Sequence, residues 1–332
     1  MLVAVGEHTS STGKAASGQG PCGSAVIDGF VGALRLTFAS VALTCLSLGT
    51  TQAQSNAVTL ASTALPQGGS ISAGSATIST TGAAMAITQS TDKASINWQS
   101  FNIGSAASVN IAQPSATSVL LNRVVGNDPS QILGKLSANG QVILLNPNGI
   151  VFGKDGSVTA SAFTASTFAL SDADFMSGFY KYTRNGSTAA VVNQGTIETS
   201  AGGFVALIGA TVTNEGTIHA PQGDVVMAAA ETVTLTPEFV KPQPVTTPNT
   251  VSARMSKRVR LELDPAAINT AVNNTSTGVI LTEGGQVLLQ AAALSTAVAS
   301  VTHSGRIDTS APQAGAVTLL AEGGIIKATG DI

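Results

Sequence analysis

Residues capable of acid–base or metal chemistry are few in this chain and far apart. Two of its three histidines, His219 and His303, lie in repeats beside apolar residues, with no cysteine or carboxylate close in sequence. We therefore expect both to be packed or solvated. Asp172 and Asp174 form the one close carboxylate pair, but a calcium loop needs several more oxygen ligands at fixed offsets. A turn or a cap is the better interpretation, so no catalytic centre, cofactor site or metal site is expected.

The types and positions of the charged residues and glycines also argue against other functional classes. A β-helical polysaccharide lyase or hydrolase would need carboxylates clustered on one face beside a basic residue, and here the acidic residues are scattered. No glycine-rich segment precedes a plausible helix, which argues against phosphate and nucleotide loops. The net charge is −3, with 15 basic and 18 acidic residues, which gives no electrostatic case for nucleic acid. The sequence therefore predicts a non-enzymatic protein.

The composition predicts strands whose edges are all covered. Charged residues make up 10% of the chain, against roughly 25% in typical globular proteins. Residues 54–91 and 94–122 carry no charge and are rich in Ser, Thr, Ala, Val and Ile. Uncharged β-formers aggregate unless their edges are paired. This points to a closed or stacked all-β architecture.

The second half of the chain contains an internal repeat. Asn193–Ile197 returns as Asn214–Ile218, and weaker copies occur at 278–280 and 305–307. Each copy precedes a glycine and a run of alternating apolar residues, which assigns one face of each strand inward. Phe204 should then point outward. The predicted inward columns are Val205, Val225, Val287 and Val317; Leu207, Met227, Leu289 and Leu319; and, on another face, Ile197, Ile218, Ile280 and Ile307.

A unit of about 20 residues made of strands and turns is typical of a β-solenoid. An antiparallel sandwich is the alternative, but matching columns in four units favour the solenoid, with roughly ten to thirteen coils. Asn193 and Asn214 would form an asparagine ladder, and glycines would supply corners with positive φ. The proline-rich Lys241–Pro248 should leave the solenoid as an excursion.

A basic run follows this excursion. It could bind an acidic polymer, but a solvated edge strand protected by charge is the preferred interpretation. The run consists of Arg254, Lys257, Arg258 and Arg260.

The N-terminus has the pattern of a signal peptide. Leu34–Leu48 is mainly apolar and too short to span a bilayer as a helix. Small residues follow, which predicts cleavage between Ala53 and Gln54; a buried N-terminal strand is the alternative. Both cysteines, Cys22 and Cys45, would be removed. The mature chain would then have no disulfide framework and no zinc site.

A less repetitive block precedes the repeats and closely resembles the N-terminal secretion domain of filamentous haemagglutinin-like exoproteins, the exported partners in two-partner secretion. The resemblance runs from about Ala64 to about Ala230. It implies a right-handed parallel β-helix with N-terminal cap strands, recognised in the periplasm by the POTRA domains of a dedicated outer-membrane pore. The residues that carry it are Leu65–Gly69, Ile96–Gly104, Leu121–Val124, Asp128–Ile132, Ser137–Gly140 and Asn146–Gly153.

One pentapeptide is the most specific match. The family's second asparagine motif is matched by Asn146, Pro147, Asn148, Gly149 and Ile150. A first motif found in some members is missing, because Gln113–Ala116 stands in its place. Independently of the family, Pro147 presets φ in a turn, Asn148 and Gly149 tolerate left-handed φ, and Asn146 can bond its downstream backbone. The motif could shape a corner, contact the transporter, or do both.

The resemblance implies an organisation and a route. Residues 1–53 are expected to be an extended-type signal peptide, 54–235 the two-partner secretion domain, and 236–332 a continuation of the repeats, incomplete at its end. Val3–Ser11 with Lys14 resembles the second half of the extended signal region, so Met1 is expected to be internal. The Sec translocon, signal peptidase and the pore would export the chain from a Gram-negative bacterium to the cell surface. Adhesion or haemagglutination through host-cell ligands is the expected role; haem acquisition and toxin delivery are alternatives.

Overall fold

The structure is a computed structural model that describes residues 2–4, 60–239, 257–312 and 315–332. These residues contain 29 strands and one short helix, α1 (Asp172–Ser177). The strands are β1 (Leu2–Ala4), β2 (Ser70–Ala73), β3 (Ala76–Thr81), β4 (Ala84–Gln89), β5 (Lys93–Trp98), β6 (Ser108–Ala112), β7 (Val119–Val124), β8 (Ser130–Ile132), β9 (Lys135–Ala138), β10 (Gln141–Leu145), β11 (Ile150–Phe152), β12 (Ser157–Ala160), β13 (Ala162–Ser166), β14 (Tyr180–Thr183), β15 (Ala190–Asn193), β16 (Thr196–Thr199), β17 (Phe204–Ile208), β18 (Thr211–Asn214), β19 (Thr217–His219), β20 (Asp224–Ala229), β21 (Thr232–Phe239), β22 (Lys257–Asp264), β23 (Thr270–Asn274), β24 (Val279–Leu281), β25 (Val287–Ala292), β26 (Ala299–His303), β27 (Arg306–Asp308), β28 (Val317–Glu322) and β29 (Gly324–Ala328).

Three long sheets form a right-handed parallel β-helix. Sheet A has ten strands in the order β1-β28-β25-β20-β17-β13-β10-β7-β5-β2, sheet B has seven (β29-β26-β23-β18-β15-β11-β8), and sheet C has nine (β27-β24-β19-β16-β12-β9-β6-β4-β3). At the N-terminal end β2 pairs antiparallel with β5, and β3 with β4, which gives the expected cap strands. The all-β solenoid is confirmed, and the sandwich is excluded.

The described part of the chain forms fewer coils than the ten to thirteen expected. Sheet A carries eight successive parallel strands from β5 to β28. The estimate was wrong because two segments leave the β-helix instead of adding coils. We call residues 167–189 the first excursion and the described residues 230–239 and 257–269 the second excursion.

The inner core follows the repeat. Val205 is in register with Val225, which is in register with Val287 and then Val317. All three predicted columns are buried and belong to one hydrophobic core. The isoleucine column lies on sheet C and faces the same interior. The predicted inward positions are therefore confirmed.

The glycines that open the repeat strands serve a different purpose from the one expected. Gly203, Gly223, Gly285 and Gly315 stack in consecutive coils, and none of them has positive φ. A methyl group on Gly223 would overlap the carbonyl oxygen of Gly203, and the same clash recurs at each step of the stack. The expectation of positive φ was wrong at these positions, because it is the close approach of coils that excludes a side chain.

The asparagine ladder is confirmed and is longer than expected. Asn193 Nδ2 donates to Asn214 Oδ1 at 2.8 Å, and Asn214 Nδ2 donates to Asn274 Oδ1 at 2.8 Å. Asn274 Nδ2 lies 3.2 Å from His303 Nδ1. All four side chains are fully buried. His303 is thus packed, as expected, and it takes the ladder position in its coil.

A second, outer core covers the other face of sheet A. Phe204 points away from the inner core, as expected, but it is only 6% accessible because the outward face of sheet A is itself covered. The excursions fold back over sheet A and bury its outward side chains. The outer core consists of Val119, Leu121, Ile143, Leu145, Ala162, Phe168, Leu170, Phe175, Tyr182, Phe204, Ala206, Ile208, Val226, Ala228, Ala230, Val233, Leu235, Val259 and Ala292.

The covering layer is a fourth, three-stranded antiparallel sheet in the order β14-β21-β22. β22 lies at its edge and contains Lys257, Arg258 and Arg260 of the basic run, while Arg254 and Lys241–Pro248 lie outside the described residues. The described residues from 60 to 332 belong to one compact unit. The boundary expected after residue 235 falls inside β21 and stays a prediction. Among the described residues, no helix has the length and apolar character that crossing a bilayer requires.

Candidate functional site

The Asn146–Ile150 segment forms the corner where the chain passes from β10 in sheet A to β11 in sheet B. Asn146 is fully buried and its amide is saturated. Its Nδ2 donates to the Asp128 carbonyl and to Ser130 Oγ, both at 2.9 Å. Its Oδ1 accepts from the backbone N and from Nδ2 of Asn148, at 3.0 and 3.1 Å. Asn146 therefore joins two coils, and the predicted bond to its downstream backbone is present.

The rest of the turn divides into an exposed tip and a buried base. Pro147 and Asn148 are exposed, whereas Gly149 and Ile150 are buried. Asn148 Nδ2 donates to the Gly126 carbonyl at 2.8 Å, which ties the tip to the preceding coil. Gly149 has φ of 118°, a conformation that favours glycine. In the folded domain, the surface that the motif offers to a partner is the pyrrolidine ring of Pro147 and the outer side of Asn148.

An ion pair holds the first excursion against this end of the β-helix. Arg123 Nη2 lies 2.8 Å from Asp172 Oδ1 and donates to the Leu170 carbonyl at 2.7 Å. Burial would raise the pKa of Asp172, but hydrogen bonds from Arg123 and Ser95, with the charge of Arg123, outweigh it and hold the pKa below its usual value. The carboxylate thus stays ionised as an anchor.

The carboxylate pair of Asp172 and Asp174 lies at the N-terminal end of α1. Ser171 caps α1 by accepting a hydrogen bond from the Asp174 backbone N, and Asp172 and Asp174 occupy the first turn. At the other end, Lys93 Nζ donates to the carbonyls of Phe175 and Met176, both at 3.0 Å. Burial lowers the pKa of Lys93. The expectation that this carboxylate pair belongs to a cap is confirmed.

The histidines take up structural positions. No carboxylate is close to His219 in sequence, but the fold places two beside its ring. Glu198 Oε1 lies 3.5 Å from Nδ1, and Glu283 Oε1 lies 3.3 Å from Nε2. The described residues hold no group of side chains suited to a metal ion. The predicted cleavage site at Ala53 and Gln54 lies outside the described residues.

Gln113, in the place of the missing first motif, also forms a corner. Its Nε2 donates to Gln89 Oε1 at 3.1 Å and to the Ser118 carbonyl at 3.0 Å. The side chain of Asn139 accepts a hydrogen bond from the backbone N of Gln113 at 2.7 Å and donates one to the Gln113 carbonyl at 2.8 Å. A glutamine thus fills this corner.

Sequence reasoning did not identify the partners of Asn146. Asp128 and Ser130 belong to a segment that resembles the family, but nothing in the sequence placed them beneath the turn. The signal that could have found them is the coil period, because Ser130 is in register with Ile150 in the next coil.

Comparison with known proteins agrees with this geometry. Residues 62–309 match the TPS secretion domain family. The chain belongs to that family. Such domains are parts of exoproteins secreted by Gram-negative two-partner systems. The family resemblance stated from the sequence is therefore confirmed.

Individual relatives cover less of the chain. A heme/hemopexin-binding protein of Haemophilus influenzae Rd is 46% identical over 103 residues, which are 31% of this chain and 11% of that protein. A second protein of that name from Haemophilus influenzae is 40% identical over 116 residues, 35% of this chain and 12% of its own. The matches thus span about a tenth of the length of these relatives.

A solved structure supports the fold of this secretion domain. The HMW1 secretion domain from Haemophilus influenzae superposes with a TM-score of 0.53 at 24% identity, covering 80% of this chain and 84% of that one. At this identity the likeness bears on the β-helix alone.

Proposed function

We propose that this secretion domain docks on a cognate outer-membrane transporter through the exposed tip of the Asn146–Ile150 turn. The observation that carries the proposal is that the motif has a buried, fully hydrogen-bonded base and an exposed tip. Asn146 has every polar atom bonded inside the protein, while Pro147 and Asn148 face solvent on that fixed base. A rigid, exposed tip loses little conformational entropy on binding.

The route proposed is export by the Sec translocon, removal of residues 1–53 by signal peptidase, and recognition by the transporter's periplasmic POTRA domains. The domain itself is proposed to be non-enzymatic and to use no cofactor. In support, His303 is enclosed in the ladder and Asp172 is bound to Arg123. Neither side chain is free to act on a substrate.

The deciding experiment separates the tip from the base. Pro147→Ala removes the exposed ring, and Pro114→Ala, at another exposed corner proline, is the matched control. We expect Pro147→Ala to lower secretion at least about fivefold in a host with the transporter, with little change in melting temperature. Pro114→Ala should be secreted normally.

Asn146→Ala tests the base and should lower the stability of the purified domain by about 1–3 kcal/mol. Wild-type secretion in a host that lacks the transporter would refute the proposal. If Pro147→Ala and Asn148→Ala are exported normally while Asn146→Ala is not, the motif only shapes a corner.

A second candidate concerns the exoprotein that this domain would export. Its relatives bear the name heme/hemopexin-binding protein, which favours capture of a haem carrier over adhesion. Binding of haem–hemopexin to cells that display the full-length exoprotein would support capture. Attachment of these cells to host cells without haem–hemopexin binding would support adhesion.

A further inference from the structure

The N-terminal end of the β-helix presents the free edge of β3. Beyond the coil that contains β5 and β6, sheet A adds one strand, β2, whereas sheet C adds two, β4 and β3. β3 therefore protrudes one strand further than β2. It pairs with β4 on one side, and within the described residues no strand pairs with its other side. β2 thus does not block the approach of another strand to this edge.

Every second residue of β3 directs its backbone groups at this free edge. Next to the first ladder pair, the Ser75 carbonyl accepts a hydrogen bond from the Ser90 backbone N at 2.9 Å. In an antiparallel ladder alternate residues bond to the partner strand, so the odd-numbered residues of β3 bond to β4. The even-numbered residues each offer a donor and an acceptor to an added strand. These residues are Ala76, Ile78 and Thr80.

β3 lacks the features that protect edge strands from unwanted pairing, which are charge, proline, bulges and shortness. It has six residues without charge or proline, and its register with β4 is unbroken. Each of the other edge strands in the described part of the chain has such a feature. β2 has a register shift, and β1, β8 and β27 have three residues each. The charged edge strands are β14 with Lys181, β22 with Arg260 and Glu262, and β29 with Lys327.

We infer that a second copy of this chain pairs with the free edge, so that two β3 strands join antiparallel about a two-fold axis at Ile78. Ile78 then faces its own counterpart, and Ala76 faces Thr80 of the other copy. All three pairs exchange backbone hydrogen bonds, as an isologous contact requires. Residues 54–91 carry no charge. An identical edge therefore meets no like charge here, whereas a charged partner strand would find no counter-ion.

The side chains favour the same register. Ala76 and Ile78 are half-buried and pack against the inner core, where Ile78 lies beside Trp98 and Gly69. A two-fold axis perpendicular to the sheet keeps the inner faces of both copies on one side, so each Ile78 covers the exposed part of the other. A slip by one residue would place the apolar side chains on opposite faces. The contact joins two copies of sheet C end to end, and it acts between exported chains, beyond the proposed docking on the transporter.

Removing one outward N–H tests the contact. Thr80→Pro deletes a donor at the free edge and no bond to β4, a position at which an edge strand tolerates proline. Thr80→Ser keeps the N–H and is the matched control. We expect the purified chain to dimerise weakly in sedimentation equilibrium, because one strand pair is a small interface. Thr80→Pro should weaken this association at least about tenfold and Thr80→Ser less than about twofold, with circular dichroism verifying that both are folded.

A disulfide tests the register independently of proline. With Cys22 and Cys45 replaced by serine, the chain has no other thiol. Ile78→Cys places two thiols opposite each other at the two-fold axis, within the Cα separation that a disulfide spans. Ser79→Cys is the matched control, because its two copies lie diagonally, roughly 7–8 Å apart. We expect oxidation to give a covalent dimer of Ile78→Cys and to leave Ser79→Cys mainly monomeric.

Three outcomes would overturn the inference. The first is a wild-type chain that stays monomeric up to its solubility limit. The second is a dimer that Thr80→Pro leaves unchanged, which would place the contact elsewhere. The third is a cross-link of Ser79→Cys as efficient as that of Ile78→Cys. Loss of transporter binding in Thr80→Pro without self-association of the wild type would give the edge to the transporter, and the inference would fail while the proposed docking stood.

Discussion

Phe204 and Val205 are neighbours on β17 whose side chains leave opposite faces of sheet A, and both are buried. Val205 is covered by its counterparts in the adjacent coils, so its burial repeats with the period of the chain. Phe204 is covered by the excursions, which occur once each. A solenoid buries its inner face through neighbouring coils, whereas a sheet buried on both faces needs a second layer. The inner core is thus periodic and the outer core is not.

The largest expected effect comes from placing a charge in the periodic core. Val205→Asp would bury an unpaired carboxylate between Phe163 and Val225, its partners in the adjacent coils. We expect a loss of about 4–5 kcal/mol in the free energy of unfolding, measured by urea denaturation. Ala86→Asp, at an exposed strand position, should lose less than about 0.5 kcal/mol. Equal losses would refute the assigned register.

The next effect tests the outer core. Phe204→Ser should cost about 3–5 kcal/mol because it leaves a cavity beneath the excursions. Leu320→Ser, at a half-buried position of β28 outside the outer core, should cost about 1 kcal/mol or less. If the urea midpoints of these two variants agree, the excursions contribute no core.

A smaller effect is expected at the asparagine ladder. Asn214→Ala would leave Asn193 Nδ2 and Asn274 Oδ1 without their ladder partners, at a cost of about 2 kcal/mol. Gln194→Ala, which removes one exposed bond to Glu215, should cost only a few tenths of a kcal/mol. Thermal melting distinguishes the two. A Tm for Asn214→Ala within error of that for Gln194→Ala would mean that the ladder adds no stability.

The smallest expected effect is a pH dependence of the first excursion. The pKa of Asp172 is lowered in the folded state, so its contribution is complete above the ordinary value of 3.8 and is lost as the pH falls through the folded value. The protection factors of the amides in residues 167–189, which correct for the slower intrinsic exchange at acid pH, should fall between about pH 6 and about pH 3. Asp172→Asn should reduce this fall. An identical profile in that variant would assign it to other carboxylates.

Much of the candidate site could be predicted, because a turn is local. Pro147 and Gly149 have the backbone preferences that the corner needs, and Asn146 reaches its own downstream backbone. The contacts from Asn146 to Asp128 and Ser130 could not be predicted, because they depend on the register between coils. The contact of Arg123 with Asp172 left no sequence signal, since it follows from the path of an excursion.

The sequence by itself determined the repeating parts of this protein: the β-helix, the inward columns and the ladder from Asn193 to Asn214. These contacts join equivalent positions in successive coils, so one period predicts them all. Only the tertiary structure decided the parts that occur once: the burial of Phe204, the covering sheet of β14, β21 and β22, and the Arg123–Asp172 anchor. The physical reason is that an excursion has no counterpart in the next coil, and its contacts depend on where the chain folds back.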